Sequence, residues 1–339
     1  MARLLRVLAR SDDHLLHSSQ VVTRALVTGA NGFIGANLAR RLLREGHAVT
    51  CLVGATDQWR LADLGDGIAI IEADLRDEGG LKSALAGLRF DWVFHLAAYG
   101  AYSWQEDLAQ MLAVNVLGTA NLVRALEGSS VEAFVNTGTS SEYGFTDHAA
   151  LEADRLEPNS AYAVTKAAAT HLCSDLARRG VMPITTLRLY SVYGPYEEPA
   201  RLVPTLISRG LRGELPALAS PDIARDYVHV DDVCDAFIAA AGSNVASEEP
   251  GLVVNIGSGV QTSLAELVAL AQRVMSIAQT PRWGSMPDRR WDARIWVADI
   301  RRASSALRWI PRIDLESGFR ATVEWMRSEG MKISRYAVR

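Results

Sequence analysis

The chain has 339 residues, 49% hydrophobic and 22% charged, with a formal net charge of −4. That length buries a sizeable core, in two lobes or one large α/β unit, and the charge excludes a general attraction to nucleic acid or an anionic membrane. No apolar run approaches the roughly 20 residues of a membrane-spanning helix. Cys51, Cys173 and Cys234 stand far apart without Cys-x-x-Cys spacing, and the histidines form no ligand run. Neither a disulfide framework nor a metal site is expected. Arg3, Arg6 and Arg10 interrupt the leucines of Met1 to Ser19, which breaks the apolar stretch of a secretory leader. Residues 1–20 read as a mobile extension and the protein as cytoplasmic.

The compact fold is predicted to start at Val21, where Val21–Val27 is a short β-branched run suited to a buried parallel strand. A glycine-rich turn, Thr28-Gly29-Ala30-Asn31-Gly32-Phe33-Ile34-Gly35, leads to a helical pattern over Leu38–Arg44, closed by Gly46. Strands over Ala48–Val53 and Ile68–Glu72 follow. Then come helix 79–88, strand 91–96, helix 105–127, strand 132–138, helix 160–179 and strand 183–189. Such alternation implies right-handed crossovers and a doubly wound parallel α/β sheet covered on both faces.

After Tyr190 the texture changes, because Pro195, Pro199, Pro204, Pro216 and Pro221 punctuate the chain and helices shorten. Val228–Ile238 and Val253–Ile256 are expected to return to the main sheet. Residues 262–278 and Leu315–Met326 read as amphipathic helices. The predicted division is a dinucleotide-binding domain over 21–190, with returning segments near 226–258, and a smaller discontinuous C-terminal lobe over 191–225 and 259–330.

Two patterns carry chemistry. Gly29, Gly32 and Gly35 stand at a strand–helix turn, where glycine permits positive φ and backbone N–H groups can approach a pyrophosphate at the helix N-terminus. Tyr162 and Lys166 lie four residues apart on one helix face, where an ammonium favours the phenolate and is expected to pull the tyrosine below its usual value of about 10. Such a tyrosine is an acid–base group.

These elements occur in a particular order: T-G-A-N-G-F-I-G, A-D-L at 73–75, H-L-A-A at 95–98, N-V-L-G-T-A-N at 115–121, Thr139, Y-A-V-T-K, L-R-L-Y-S-V-Y-G-P and R-D-Y-V-H-V-D-D. From about Val22 to Arg327 the chain resembles the extended short-chain dehydrogenase/reductase family, in its NAD-dependent epimerase/dehydratase branch acting on nucleotide sugars. The resemblance implies a Rossmann-type domain with a substrate lobe. It implies that Thr139, Tyr162 and Lys166 are catalytic, with Lys166 also touching the nicotinamide ribose. The cofactor would lie on Gly29, Asn31, Gly32, Phe33, Ile34 and Gly35, with Asp74 and Leu75 bordering the adenine. Leu96, Ala97 and Ala98 would line its channel, and Asn115 would hold the active-site backbone. Ser140, Ser141 and Ser191 would face the sugar side, with Ser191 standing where the family usually has Asn. Arg225 and Arg289 would grip the nucleotide diphosphate, as guanidinium forks do. Glu142 stands one position later than a dehydratase acid.

The end of the second strand, Val53-Gly54, has no carboxylate for a ribose diol. Asp57 could reach back, or Arg60 and Thr56 could accept a 2′-phosphate, so the cofactor is NAD or NADP with NADP favoured. The expected activity is a nucleotide-sugar epimerase working through a 4-keto sugar. Alternatives are an NADPH-dependent 4-keto-6-deoxy-sugar reductase, then a 4,6-dehydratase, and more distantly a non-catalytic redox sensor. The broad apolar faces of helices 105–127 and 160–179, paired across a dimer in the family, imply a homodimer.

Overall fold

The computed structural model describes residues 22–54, 57–243, 248–287, 292–330 and 335–336. The expected extension at 1–20, and Thr56 and Arg289 among the candidate site residues, lie outside them.

Strands β1 (Arg24–Thr28), β2 (Ala48–Val53), β3 (Ile68–Glu72), β4 (Trp92–His95), β5 (Ala133–Thr139), β6 (Ile184–Leu189) and β9 (Val253–Ile256) form a seven-stranded sheet in the order β3-β2-β1-β4-β5-β6-β9. Every pairing in it is parallel. This is the doubly wound Rossmann arrangement, with β9 added at one edge. The period-two pattern of β1 shows how both faces are buried. Ala25 and Val27 pack with helices α1 (Phe33–Arg44) and α7 (Val230–Gly242), while Leu26 packs on the opposite face with residues of α2 (Glu78–Leu85), α4 (Gly118–Leu126) and α5 (Ala161–Arg178). Cys51, Cys173 and Cys234 are free and buried, as small hydrophobes.

Three differences from the sequence expectation have physical causes. Helix α1 starts at Phe33, a full turn early, because it grows directly from the glycine turn with Gly32 at its N-cap. The long helix begins at α3 (Leu108–Met111), capped by the Asp107 carboxylate, and widens into a π-helical turn over Leu112–Leu117 before α4. Strand β8 (Ala224–His229) does not join the main sheet. The edge at β6 is already taken by β9, so β8 pairs with β7 (Ser191–Tyr193) and β10 (Gln261–Ser263) in a separate three-stranded sheet. That sheet, with α6 (Leu202–Gly210) and the helices Leu264–Met275 and Leu315–Ser328, surrounds a second core built on Leu206, Leu267 and Phe319. Two carboxylates of the R-D-Y-V-H-V-D-D run serve as fasteners. Asp226 accepts from the N–H groups of Ser258, Gly259 and Ala298, and Asp232 accepts from those of Arg312 and Ile313.

Among the described residues no helix is long and apolar enough to cross a membrane.

Candidate active site

The carboxyl ends of β1 and β4 lie side by side where the strand order reverses, the place at which open parallel sheets leave a crevice. Gly29 takes φ +63° there, and a Cβ on it would lie 2.7 Å from the Cα of Ala97. A Cβ on Gly35 would collide with the Gly29 carbonyl oxygen. The turn is thus closed to any larger residue at both positions. The N-cap Gly32 offers no side-chain acceptor to the first turn of α1. Asn31, Phe33 and Ile34 lie on this half-buried rim, and Leu96, Ala97 and Ala98 continue from β4 beside it.

A buried histidine fixes the strand ends. His95 lies between the hydroxyls of Thr28 at 2.8 Å and Thr119 at 2.9 Å. Thr119 donates to the Asn115 carbonyl and Thr28 accepts from the Ala97 N–H, so proton counting puts the ring hydrogen on Nε2. Burial, with Lys166 adding to it, pushes His95 down to about 3, so the ring stays neutral. Asn115, in the π-helical turn, pairs both ways with the backbone of Tyr99 at 2.8 Å and donates to Thr165 on α5 at 3.0 Å. The widened turn therefore ties the strand end to the helix that bears Tyr162 and Lys166. π-Helical turns often mark such sites.

At the end of β5, Thr139 caps the short turn Ser140–Tyr143. Its hydroxyl accepts from the Ser141 N–H, and the Glu142 carboxylate accepts from its own N–H at 2.9 Å. Thr139 also interacts with the Tyr162 phenol, so the capping residue and the acid–base candidate meet. Glu142 is fully buried and accepts from Arg188 Nε at 2.8 Å and from the Thr170 hydroxyl at 3.0 Å. Arg188 continues to the Tyr143 hydroxyl at 2.9 Å, and Tyr143 donates to Asn255 at 2.7 Å. Glu142 is therefore part of the floor, and its charge also supports the buried Lys166 ammonium against desolvation.

One expectation is overturned. Burial pushes Tyr162 up to about 12, ahead of the opposing charge of Arg201 and with Glu142 and Tyr102 adding to the rise. In the chain alone, then, Lys166 does not pull the phenol below its usual value. Burial lowers the pKa of Lys166 itself.

Arg60 is buried, with its guanidinium committed to the Tyr196 carbonyl at 2.8 Å, the Asn31 carbonyl at 3.3 Å and the Glu198 carboxylate at 3.1 Å. Asp57 is paired with Arg335 and accepts from the Trp59 N–H. A guanidinium held by three oxygens is not offered to a 2′-phosphate, which removes the reason for favouring NADP. Asp74 is exposed and gripped by Arg76 at 2.6 Å, while Leu75 is buried against Gly118, its carbonyl accepting from Asn121.

On the far side, Arg225 donates to Asp292 at 3.0 Å and stacks over Trp296 at 5.0 Å. Trp296 in turn donates its indole N–H to the Ser140 hydroxyl at 3.2 Å. The chain Arg225–Trp296–Ser140 spans from β8 to the turn Ser140–Tyr143, with Ser141 beside it and Ser191 opposite Tyr227 in the β7–β8 register. Trp296 and Arg188 were not among the sequence candidates, since neither stands in a periodic or spaced pattern with its partner.

Residues 25–257 match the NAD dependent epimerase/dehydratase family. The chain is 32% identical over 317 residues to a UDP-glucose 4-epimerase of Mycolicibacterium smegmatis, covering 90% of this chain and 99% of that one. It is 31% identical over 320 residues to a dTDP-glucose 4,6-dehydratase of Streptomyces griseus, covering 90% and 94%. Its structure is similar to that of the Thermus thermophilus UDP-glucose 4-epimerase in complex with NAD, with a TM-score of 0.80, 28% identity and coverage of 90% and 99%. With its glycine turn at the switch point and its Thr–Tyr–Lys set on the adjoining strand end and helix, this chain belongs to the NAD dependent epimerase/dehydratase family.

Proposed function

We propose that the protein is an NAD-dependent nucleotide-sugar 4-epimerase acting through a 4-keto sugar. The observation that carries this reading is the meeting of Thr139 and Tyr162 one helical turn from the buried Lys166, whose charge also reaches His95 at the end of β4, next to the approach of Gly29 to Ala97. The residues fit a dinucleotide. A Cβ would fill the cradle at Gly29 and Gly35, and the first turn of α1 has no side-chain cap of its own. Gly29, Asn31, Gly32, Phe33, Ile34 and Gly35 hold the pyrophosphate, Leu96, Ala97 and Ala98 line the channel, and Leu75 and Asp74 border the adenine. Bound NAD supplies a reversible hydride acceptor.

In this reading Tyr162 takes the proton of the C4 hydroxyl, relayed through the Thr139 hydroxyl, as the C4 hydride leaves for the bound cofactor, and it returns the proton to the C4 oxygen when the turned sugar takes the hydride back on its other face. Lys166 holds positive charge beneath the site, and Asn115 and Glu142 keep the strand end and turn in place. Ser140, Ser141 and Ser191 face the hexose, and Arg225 grips the diphosphate, as Arg289 would too. An elimination of water is disfavoured because Glu142 is buried in an ion pair and positions 140 and 141 carry hydroxyls.

The test is incubation with NAD and UDP-glucose, UDP-glucuronate or dTDP-glucose, followed by chromatography, mass and nicotinamide absorbance. An isomer of unchanged mass, formed without net cofactor reduction, is expected. A product lighter by one water, or stoichiometric use of cofactor, would sink the epimerase reading. Gly29→Ala is expected to cost about 1–2 kcal/mol of stability through its left-handed backbone. It should also abolish retention of NAD, read by the absorbance of the purified protein.

The protein acts as a homodimer in the same proposal. Leu108, Leu112 and Leu117 are 51%, 44% and 60% exposed, and Val164 on the neighbouring α5 is 49% exposed, which is an apolar face for a second copy. Leu117→Arg is expected to shift the light-scattering mass to the monomer. An unchanged mass would place the contact elsewhere.

A further inference from the structure

Trp296 reaches the site from the C-terminal lobe on a well-held backbone. Its N–H donates to the Gln261 side-chain carbonyl at 3.0 Å, and beside it the Ala150 N–H donates to the Val297 carbonyl at 3.1 Å. Ala298, two residues on, bridges to Ala150 and donates to the buried Asp226 carboxylate at 3.0 Å. From this seat the half-buried indole makes two contacts. Its ring lies under the Arg225 guanidinium, 5.0 Å from carbon to centroid, and Arg225 is itself held by Asp292 at 3.0 Å and the Ala224 carbonyl at 2.7 Å. Its indole N–H donates at 3.2 Å to the hydroxyl of Ser140, which is 6% exposed and adjoins Thr139.

We propose that Trp296 is a positioning residue of this site, which sets the Ser140 hydroxyl as a donor toward the sugar and ties the turn Ser140–Tyr143 to the diphosphate grip at Arg225. Proton counting supports the first part. An indole N–H can only donate, so Ser140 Oγ is the acceptor in that bond and keeps its own proton for another partner. Among the described residues no group accepts that proton, and a hexose oxygen bound beside Thr139 supplies an acceptor. The second part follows from the shared ring. In a sugar nucleotide the hexose joins the diphosphate at C1 and reacts at C4, so grip and turn must keep a set separation while the sugar turns between them. One rigid side chain in contact with both Arg225 and Ser140 holds that separation. Binding energy from the nucleotide end is thereby carried to the reacting end, where it counts toward kcat. Arg225 stays available, since its contacts with Asp292 and Ala224 leave other N–H groups of the fork for a diphosphate.

The inference rests on the epimerase reading, and its test separates the two. Trp296→Phe keeps a ring under Arg225 and removes the N–H. With UDP-glucose it is expected to lower kcat about tenfold while KM stays within about twofold. Deuterium at C4 of the sugar should then slow the variant more than it slows the wild type, because the hydride step has become the slower one. A merely structural loss of active protein leaves that isotope ratio unchanged. Adding Trp296→Phe to Ser140→Ala should cost little beyond Ser140→Ala alone, since the indole acts through that hydroxyl. An intact kcat in Trp296→Phe, an unmoved isotope ratio or additive losses would overturn the proposal. The bond also has a readout that needs no turnover. The Trp296 indole N–H resonance, assigned in labelled full chain by its loss in Trp296→Phe, should shift when UDP-glucose is added in the presence of NAD. A wild-type chain that shifts this resonance without isomerising the sugar sinks the epimerase reading and leaves Trp296 its role, whereas an unmoved resonance overturns that role in either case.

Discussion

Tyr162→Phe is expected to lower kcat by about 10²–10⁴-fold, the usual worth of a positioned acid–base group. NAD binding should persist, because the cradle at Gly29, Gly32 and Gly35 is built without the phenol. The ring fills the same space, so the loss reports the hydroxyl alone. The wild-type pH dependence has a definite sign. Tyr162 is pushed up to about 12 by burial, so the reactive phenolate is the minor form at neutrality. The rate should therefore rise with pH through the neutral and mildly alkaline range. A rate that is flat or falling there, or a Tyr162→Phe chain that keeps its kcat, would remove the tyrosine from the mechanism.

Glu142→Ala is expected to be among the most damaging changes to stability, costing about 3–5 kcal/mol, the range for breaking a buried ion pair from one side. The carboxylate is fully buried and serves the Thr139 N–H, the Thr170 hydroxyl and the Arg188 guanidinium together. Its removal leaves the charge of Arg188, 3% exposed, facing the Tyr143 ring and hydroxyl without an anion. The urea midpoint of Glu142→Ala measures the loss. Combining Glu142→Gln with Arg188→Met should cost less than the sum of the two single changes, since neither charge is then left unpaired. Additive losses would show that the pair is not coupled as its geometry requires. Activity should fall further than stability alone explains, because Thr139 loses the acceptor that fixes its N–H.

The fold was legible in the sequence because its determinants are local. Strand-length apolar runs, helix-length segments between them and a glycine turn at Gly29–Gly35 specify crossovers of one hand. The ranges for β2 and β3 match the expectation residue for residue. The Thr139, Tyr162 and Lys166 set was legible for a related reason: four-residue spacing on a helix is a fixed distance, and the end of a strand is a recognisable place.

What the sequence could not hold is any relation between elements far apart in the chain. The Glu142–Arg188 pair joins residues 46 positions apart, and the Trp296 contact with Ser140 spans 156 positions. Neither carries a periodic signature, because only the stacking of β5 beside β6, and the folding back of the loop at 296, makes them neighbours. Strand β8 was expected in the main sheet because its apolar pattern suits any sheet. In the folded chain β9 occupies the β6 edge and β8 pairs with β7 and β10 instead.

The same limit reversed the electrostatic expectation. Spacing puts a lysine one turn from the tyrosine, but the free energy of a charge depends on how much water and which other charges surround it. Those are set by burial of the phenol and by the charges that folding brings within electrostatic reach of it, Glu142 and Arg201 among them. For Arg60, a cation near a strand end looked free to meet a phosphate. The fold spends it on the Asn31 and Tyr196 carbonyls and the Glu198 carboxylate. Local spacing thus determined which groups this protein has and the order in which the sheet presents them. Burial and long-range pairing, which exist only once the chain is packed, decided which of those groups remain free to act.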